Sequence, residues 1–169
     1  MSIDLLDFEA QGLYFEQAEN PDVKDLIALA AEQYGTEEGE RNLLRAYFLA
    51  PESLNVLVAL NRFYYYQHRL TDSLLATEKA LAVIQKSVAF PEHWQDVQPQ
   101  HIENADNLTQ VRLYLFTLKA IGFLNMRLHQ LDLSRAIFEK LVSLDSKDRI
   151  GARGLLELLN NLDLKPESS

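Results

Sequence analysis

Five residues in one stretch carry the side chains of a metal site: Glu92, His93, Asp96, His101 and Glu103. The two histidines stand eight positions apart in sequence with no sustained period, which matches no zinc spacing. A polar surface loop explains these residues, so no metal is expected. Glu37, Glu38 and Glu40 form a second acidic group. They fall in the first turn of a predicted helix, where carboxylates favour the helix dipole, and read as a solvated helix start. His68 and His129 recur at equivalent places beside two turns, which points to a structural task such as bonding a carbonyl at a helix end. There is no Gly-rich phosphate loop, no Gly-x-Ser-x-Gly elbow and no paired-histidine zinc motif. With no cysteine there is no thiolate ligand, no cysteine nucleophile and no disulfide. The sequence therefore predicts a protein that is not an enzyme and needs no cofactor.

The elements that would position such residues come from an internal match. The stretch from Leu54 to Leu81 is answered by Leu115 to Val142, at an offset of 61 residues. Leu54, Leu57, Ala59 and Leu60 face Leu115, Leu118, Ala120 and Ile121, an apolar stripe at helical spacing. His-Arg-Leu-Thr at 68–71 faces His-Gln-Leu-Asp at 129–132, Ser73 faces Ser134, and Glu78-Lys79 faces Glu139-Lys140. Thr71 and Asp132 are good N-cap types, so each copy reads as helix, turn and capped second helix.

The offset equals one 34-residue period plus an insertion of about 27, and 34 residues is the period of the tetratricopeptide repeat. The chain resembles that family. At the family's characteristic small and large positions the first full copy has Leu57, Leu60, Asn61, Tyr64, Ser73, Thr77, Ala80 and Gln85. The later copy has Leu118, Ile121, Gly122, Asn125, Ser134, Phe138, Leu141 and Ser146. One period before Leu54 stands a more degenerate copy with Val23, Leu26, Ile27, Ala30, Gly39, Leu43, Ala46 and Pro51. The resemblance implies an all-α fold: a right-handed superhelix of three helical hairpins with an extra helix at each end. It implies a single domain over 1–169, with repeats at about 20–53, 54–87 and 115–148 and an insertion at 88–114. It further implies a concave groove lined by Asn55, Arg62, Tyr65, Tyr66, Lys119, Phe123, Met126 and Arg127. Cations beside aromatic side chains suit a peptide with apolar anchors and an acidic group. In family members that clamp a terminal carboxylate, Lys and Asn act together; Lys119 is of the right kind, but Asn is absent where that set needs it.

Outside the repeats, residues 2–18 read as a helix carrying Ile3, Leu6, Ala10, Leu13 and Tyr14 on one side, packed on the first repeat or on a second subunit. Asn20-Pro21 is a strong helix start, Gly35 closes that helix, Thr36 caps the next, and Ala50-Pro51 ends it. The insertion holds Phe90 and Trp94, one of which should anchor it. Asn107 opens a long helix to about His129. A capping helix spans about 148–162, with Asp148 or a neighbour as its cap, and a tail follows from 163. The formal charge of -9 disfavours nucleic acid and anionic membranes as partners. No leader or membrane span is evident, so the expected location is cytoplasmic. The functional expectation is a non-catalytic adaptor or chaperone that binds a protein or peptide. The alternative is a structural, self-assembling subunit, a homodimer for instance, whose groove is filled by its own chain.

Overall fold

A computed structural model describes residues 20–163, with side chains to 162. The helix expected over 2–18 and the tail beyond 163 lie outside the described residues. Among the described residues every regular element is helical, so the fold is all-α. The chain divides between Ile84 and Gln85 into two compact units.

The first unit begins with α1 (Pro21–Glu32) and α2 (Glu37–Leu49). The Asn20 side chain accepts from the Asp22 backbone N–H at 2.8 Å and Pro21 sits in the first turn, so both start signals act as the sequence predicts. Gly35 takes φ +82°, the left-handed conformation that reverses the chain after α1. The Thr36 hydroxyl accepts from Gly39 N–H at 3.1 Å and caps α2. Ser53, a cap not foreseen from the sequence, accepts from Val56 N–H and starts α3 (Leu54–Tyr65). The helix α4 (Leu70–Val88) then begins. Val23, Ala30, Leu43, Ala46, Val56, Leu60, Phe63 and Tyr64 form one buried apolar cluster.

The second unit opens on the end of α4, where the Gln85 side chain donates to the Phe90 carbonyl at 2.7 Å. A 3-10 turn at Trp94–Asp96 and the short α5 (Pro99–Glu103) follow, then α6 (Leu108–Arg127), α7 (Leu131–Leu144) and α8 (Ala152–Asp163). The long helix α6 starts at Leu108, capped by Asn107, whose side chain accepts from Gln110 N–H at 3.1 Å, as the sequence predicts. Phe90 is buried against the Tyr114 ring, with centroids 5.0 Å apart, and Trp94 is half-buried. Val97 is buried as well, and Lys140 donates to its carbonyl at 3.0 Å.

Both matched turns have one geometry. Arg69 N–H donates to the Tyr64 carbonyl and His68 N–H to Tyr65; Gln130 N–H donates to Asn125 and His129 N–H to Met126. This paired pattern satisfies the carbonyls at a helix end and requires a left-handed residue, here His68 at φ 60° and His129 at φ 63°. The two histidines thus serve through their backbones while their side chains are exposed. The expected caps need correction. Thr71 and Asp132 lie inside the first turns of α4 and α7, since those helices start at Leu70 and Leu131. The turn places Gln130 at the cap of α7, and its side chain makes no capping bond.

Candidate functional site

The hairpins determine which side chains stay available. In α3–α4 the Ser73 hydroxyl donates to the Asn61 side-chain oxygen. In α6–α7 the equivalent Ser134 hydroxyl donates to the Gly122 carbonyl at 2.8 Å. The positions that depart from the family's small residues are therefore filled by buried hydrogen bonds. At Gly122 the contact is closer still: an added Cβ would stand 2.7 Å from a Phe138 ring carbon. These contacts fix the inner face of each first helix, and so its outer face.

On α3 the candidate residues Asn55, Arg62 and Tyr65 are half-buried and Tyr66 is exposed. The Tyr65 and Tyr66 rings meet edge-on, centroids 5.4 Å apart. On α6, Phe123 and Met126 are half-buried and Arg127 is exposed, with its guanidinium 5.9 Å from the Phe123 ring centroid. On α6 an arginine thus lies beside an aromatic ring, and on α3 Arg62 stands one turn before the Tyr65–Tyr66 pair; arginine with aromatic side chains takes carboxylates and apolar groups together.

Lys119 departs from the expected groove set. It is 4% exposed, and its ammonium donates to the Ile150 carbonyl at 2.6 Å. Burial pushes its pKa down, while Asp148 and Asp145 oppose that shift. The loop between α7 and α8 explains the difference. Asp145 accepts from the Arg149 and Ile150 N–H groups and folds the chain back over Lys119. Gly151, at φ +80°, lies where a Cβ would be 3.4 Å from the ammonium. Lys119 pins this loop and is not placed to receive a partner.

The polar insertion holds no ligand cluster. His101 Nδ1 accepts from Gln98 N–H at 2.8 Å. Among the described residues no three of His, Asp and Glu converge as a metal site. Arg69, a cation not singled out in the sequence, binds Glu40 and Asp72 and lies 4.5 Å from the Tyr64 ring centroid. Burial raises the Tyr64 pKa, with Glu40 adding to the rise. The pairing of Glu40 shows that one member of the acidic helix start serves cohesion within the first unit. The only available signal was that Arg69 directly follows the recurrent histidine. Among the described residues no helix is long and apolar enough to cross a membrane.

These features define an all-helical protein of hairpins joined by recurrent turns, with arginine and aromatic side chains on the outer faces of α3 and α6. An "Uncharacterized 19.8 kDa protein in nifW 5'region" of Azotobacter chroococcum mcd 1 is 38% identical over 159 residues, covering 93% of this chain and 89% of that protein. The chain belongs to the same family. No protein-family model matches it, and no solved structure does.

Proposed function

We propose that this chain is a non-catalytic adaptor or chaperone of tetratricopeptide-like hairpins, stacked as a right-handed superhelix, that binds an acidic peptide segment of a protein partner. The observation that carries the reading is recurrence: α3–α4 and α6–α7 close with the same pair of backbone bonds at the same offset. The burial pattern agrees with it. Leu57, Leu60, Asn61, Tyr64, Ser73, Thr77 and Ala80 are buried in one hairpin; Leu118, Ile121, Gly122, Asn125, Ser134, Phe138 and Leu141 are buried in the other. In α1–α2, Val23, Ala30, Gly39, Leu43 and Ala46 are buried. A repeat whose inner positions are occupied in this way leaves a fixed set of outer positions for a ligand. Those are Asn55, Arg62, Tyr65 and Tyr66 on α3, and Phe123, Met126 and Arg127 on α6.

The decisive test is a protein with Arg62→Glu and Arg127→Glu. Arg127 is exposed and Arg62 half-buried; surface ion pairs contribute about 0–1 kcal/mol each, so the variant should stay folded with a modest drop in melting temperature while partner capture is lost. The relative's gene is described as lying in the region 5′ of nifW. The nifW product is accordingly the first protein to present to both forms. Undiminished capture by the folded double variant would place the interaction elsewhere.

A further inference from the structure

The chain itself contains a segment with the chemistry proposed for the ligand of α3. Residues 1–19, which precede the described residues, carry Asp4, Asp7, Glu9, Glu16 and Glu19 and no Lys or Arg, so these carboxylates make up more than half of the formal charge of -9. Phe8, Tyr14 and Phe15 stand among them. At helical spacing Glu9 and Glu16 follow one edge of the stripe formed by Ile3, Leu6, Ala10, Leu13 and Tyr14. Acidic groups and apolar anchors thus occur in one short stretch.

The receiving surface is built within the first unit. Arg62 is the only charged residue of α3, and the Tyr65–Tyr66 ring pair stands one turn further along the helix. The helix α1 packs against α3. One 34-residue period matches Ala28 and Ala31 of α1 with Arg62 and Tyr65 of α3, which turns these positions to the same side. Lys24, Ala28 and Ala31 are exposed and stand in one line along α1. The alanines form a low shelf beside the tyrosines, and Lys24 adds a second cation. Of the carboxylates on α1, Asp22 and Asp25 stand a quarter turn or more from that line, and Glu32 flanks its end.

We propose that residues 1–19 dock on this α1–α3 face of their own chain, apolar stripe on the shelf and tyrosines and carboxylates toward Arg62 and Lys24, as an internal ligand that a partner must displace. The proposal rests on the reading of α3 as a ligand face and adds its regulation. The occupant is selected by chemistry and by reach. Guanidinium pairs with carboxylate at contact, and these carboxylates have no cation within their own segment. Nineteen residues extend to about 60 Å, or about 28 Å as a helix, and neighbouring helix axes lie only about 8–10 Å apart. The segment joins α1 directly, so the face is within its range. A short tether also holds a ligand at an effective concentration of about a millimolar, which favours this segment over the same segment of a second copy in dilute solution.

The test places a nitroxide on the segment of the full chain. No native cysteine competes for the label, so Gln11→Cys supplies the thiol. Backbone amide signals of residues 28–31 and 62–66 should broaden most in the NMR spectrum and recover when the nitroxide is reduced. Glu9→Lys with Glu16→Lys, which alters the segment and leaves α1–α4 unchanged in sequence, should abolish the broadening; so should Arg62→Glu. Broadening at other surfaces, no broadening, or broadening that survives the two segment substitutions would overturn the proposal. So would broadening in a mixture where the nitroxide and the NMR isotope are on different copies, since the occupant would then belong to a second copy. No partner is present in this measurement, so its failure leaves the capture test with Arg62→Glu and Arg127→Glu standing. Docking of the segment together with undiminished partner capture by that double variant would instead overturn the partner reading alone.

Discussion

Gly122→Ala, compared with Gly154→Ala, isolates the tightest helix contact in the second unit. Gly122 lies in the interior of α6 and Gly154 in the first turn of α8, so the intrinsic preference for alanine, about 1 kcal/mol in a helix interior, acts in full at Gly122 and in part at Gly154. At Gly154 nothing lies within 4 Å of an added Cβ. That variant should be stabilised by a fraction of that amount, with no packing cost. At Gly122 the new methyl would meet Phe138 Cε1 at 2.7 Å and Ile137 Cγ2 at 2.9 Å. Neither side chain has room to retreat, since Phe138 is fully buried and Ile137 is 1% exposed. Forcing an extra carbon into such a contact costs about 1–3 kcal/mol, so Gly122→Ala should be neutral to destabilising by about 2 kcal/mol despite its better propensity. Because the propensity gain is larger at Gly122, the difference between the two variants is a lower bound on the packing cost. Urea denaturation followed by circular dichroism measures both in the same unit. Adding Phe138→Leu to Gly122→Ala should recover part of the loss. If Gly122→Ala stabilises as much as Gly154→Ala, helices α6 and α7 do not cross where the structure places them.

The helix starts were legible because they are local. Asn20, Thr36 and Asn107 each need only a side-chain oxygen and an N–H two or three residues later, and all three bonds form. The same logic misplaced Thr71 and Asp132, because the preceding turns consume Arg69 and Gln130 in backbone bonds and let each helix begin a residue early. Asp148 was a better guess. It stands four positions ahead of α8, yet its carboxylate accepts from Arg153 N–H at 3.2 Å.

Legibility of the candidate site fell off where contacts became non-local. A periodic frame places a residue on a helix face, and it placed Tyr66 and Arg127 at exposed positions. It could not show that the Asp145–Gly151 loop would fold over Lys119, because that depends on carboxylate-to-backbone bonds about 30 residues away in sequence. Phe90 could be picked as an anchor by size alone. Val97 could not, since a lone valine among polar residues carries no period, and its burial follows from Lys140 and α7 meeting the insertion.

Three further outcomes are expected. His68→Gly and His129→Gly should each stabilise by about 0.5–1 kcal/mol, since glycine takes the left-handed conformation without strain and both imidazoles are exposed; lower urea midpoints would refute this. Phe90→Ala should cost about 3–5 kcal/mol in the second unit and red-shift the emission of Trp94, the single tryptophan; an unchanged spectrum would mean that Phe90 does not hold the insertion. Lys119→Met should leave the buried Ile150 carbonyl without its donor, costing about 1–3 kcal/mol at neutral pH. Its pH dependence carries the sharper argument. Burial lowers the Lys119 pKa below the usual lysine value of 10.5, so as pH rises the folded state releases this proton before the unfolded state does. The unfolded state then binds more protons, and stability rises with pH through the window below 10.5. That contribution is fully present above 10.5 and is lost as pH falls through the lowered folded pKa. Lys119→Met lacks this group, so the stability advantage of the parent over the variant should widen as pH approaches 10.5. Equilibrium urea denaturation at several alkaline pH values measures it. An advantage that shrinks over that range would mean that Asp145 and Asp148 outweigh burial and that the folded protein holds the Lys119 proton more tightly than the unfolded chain does.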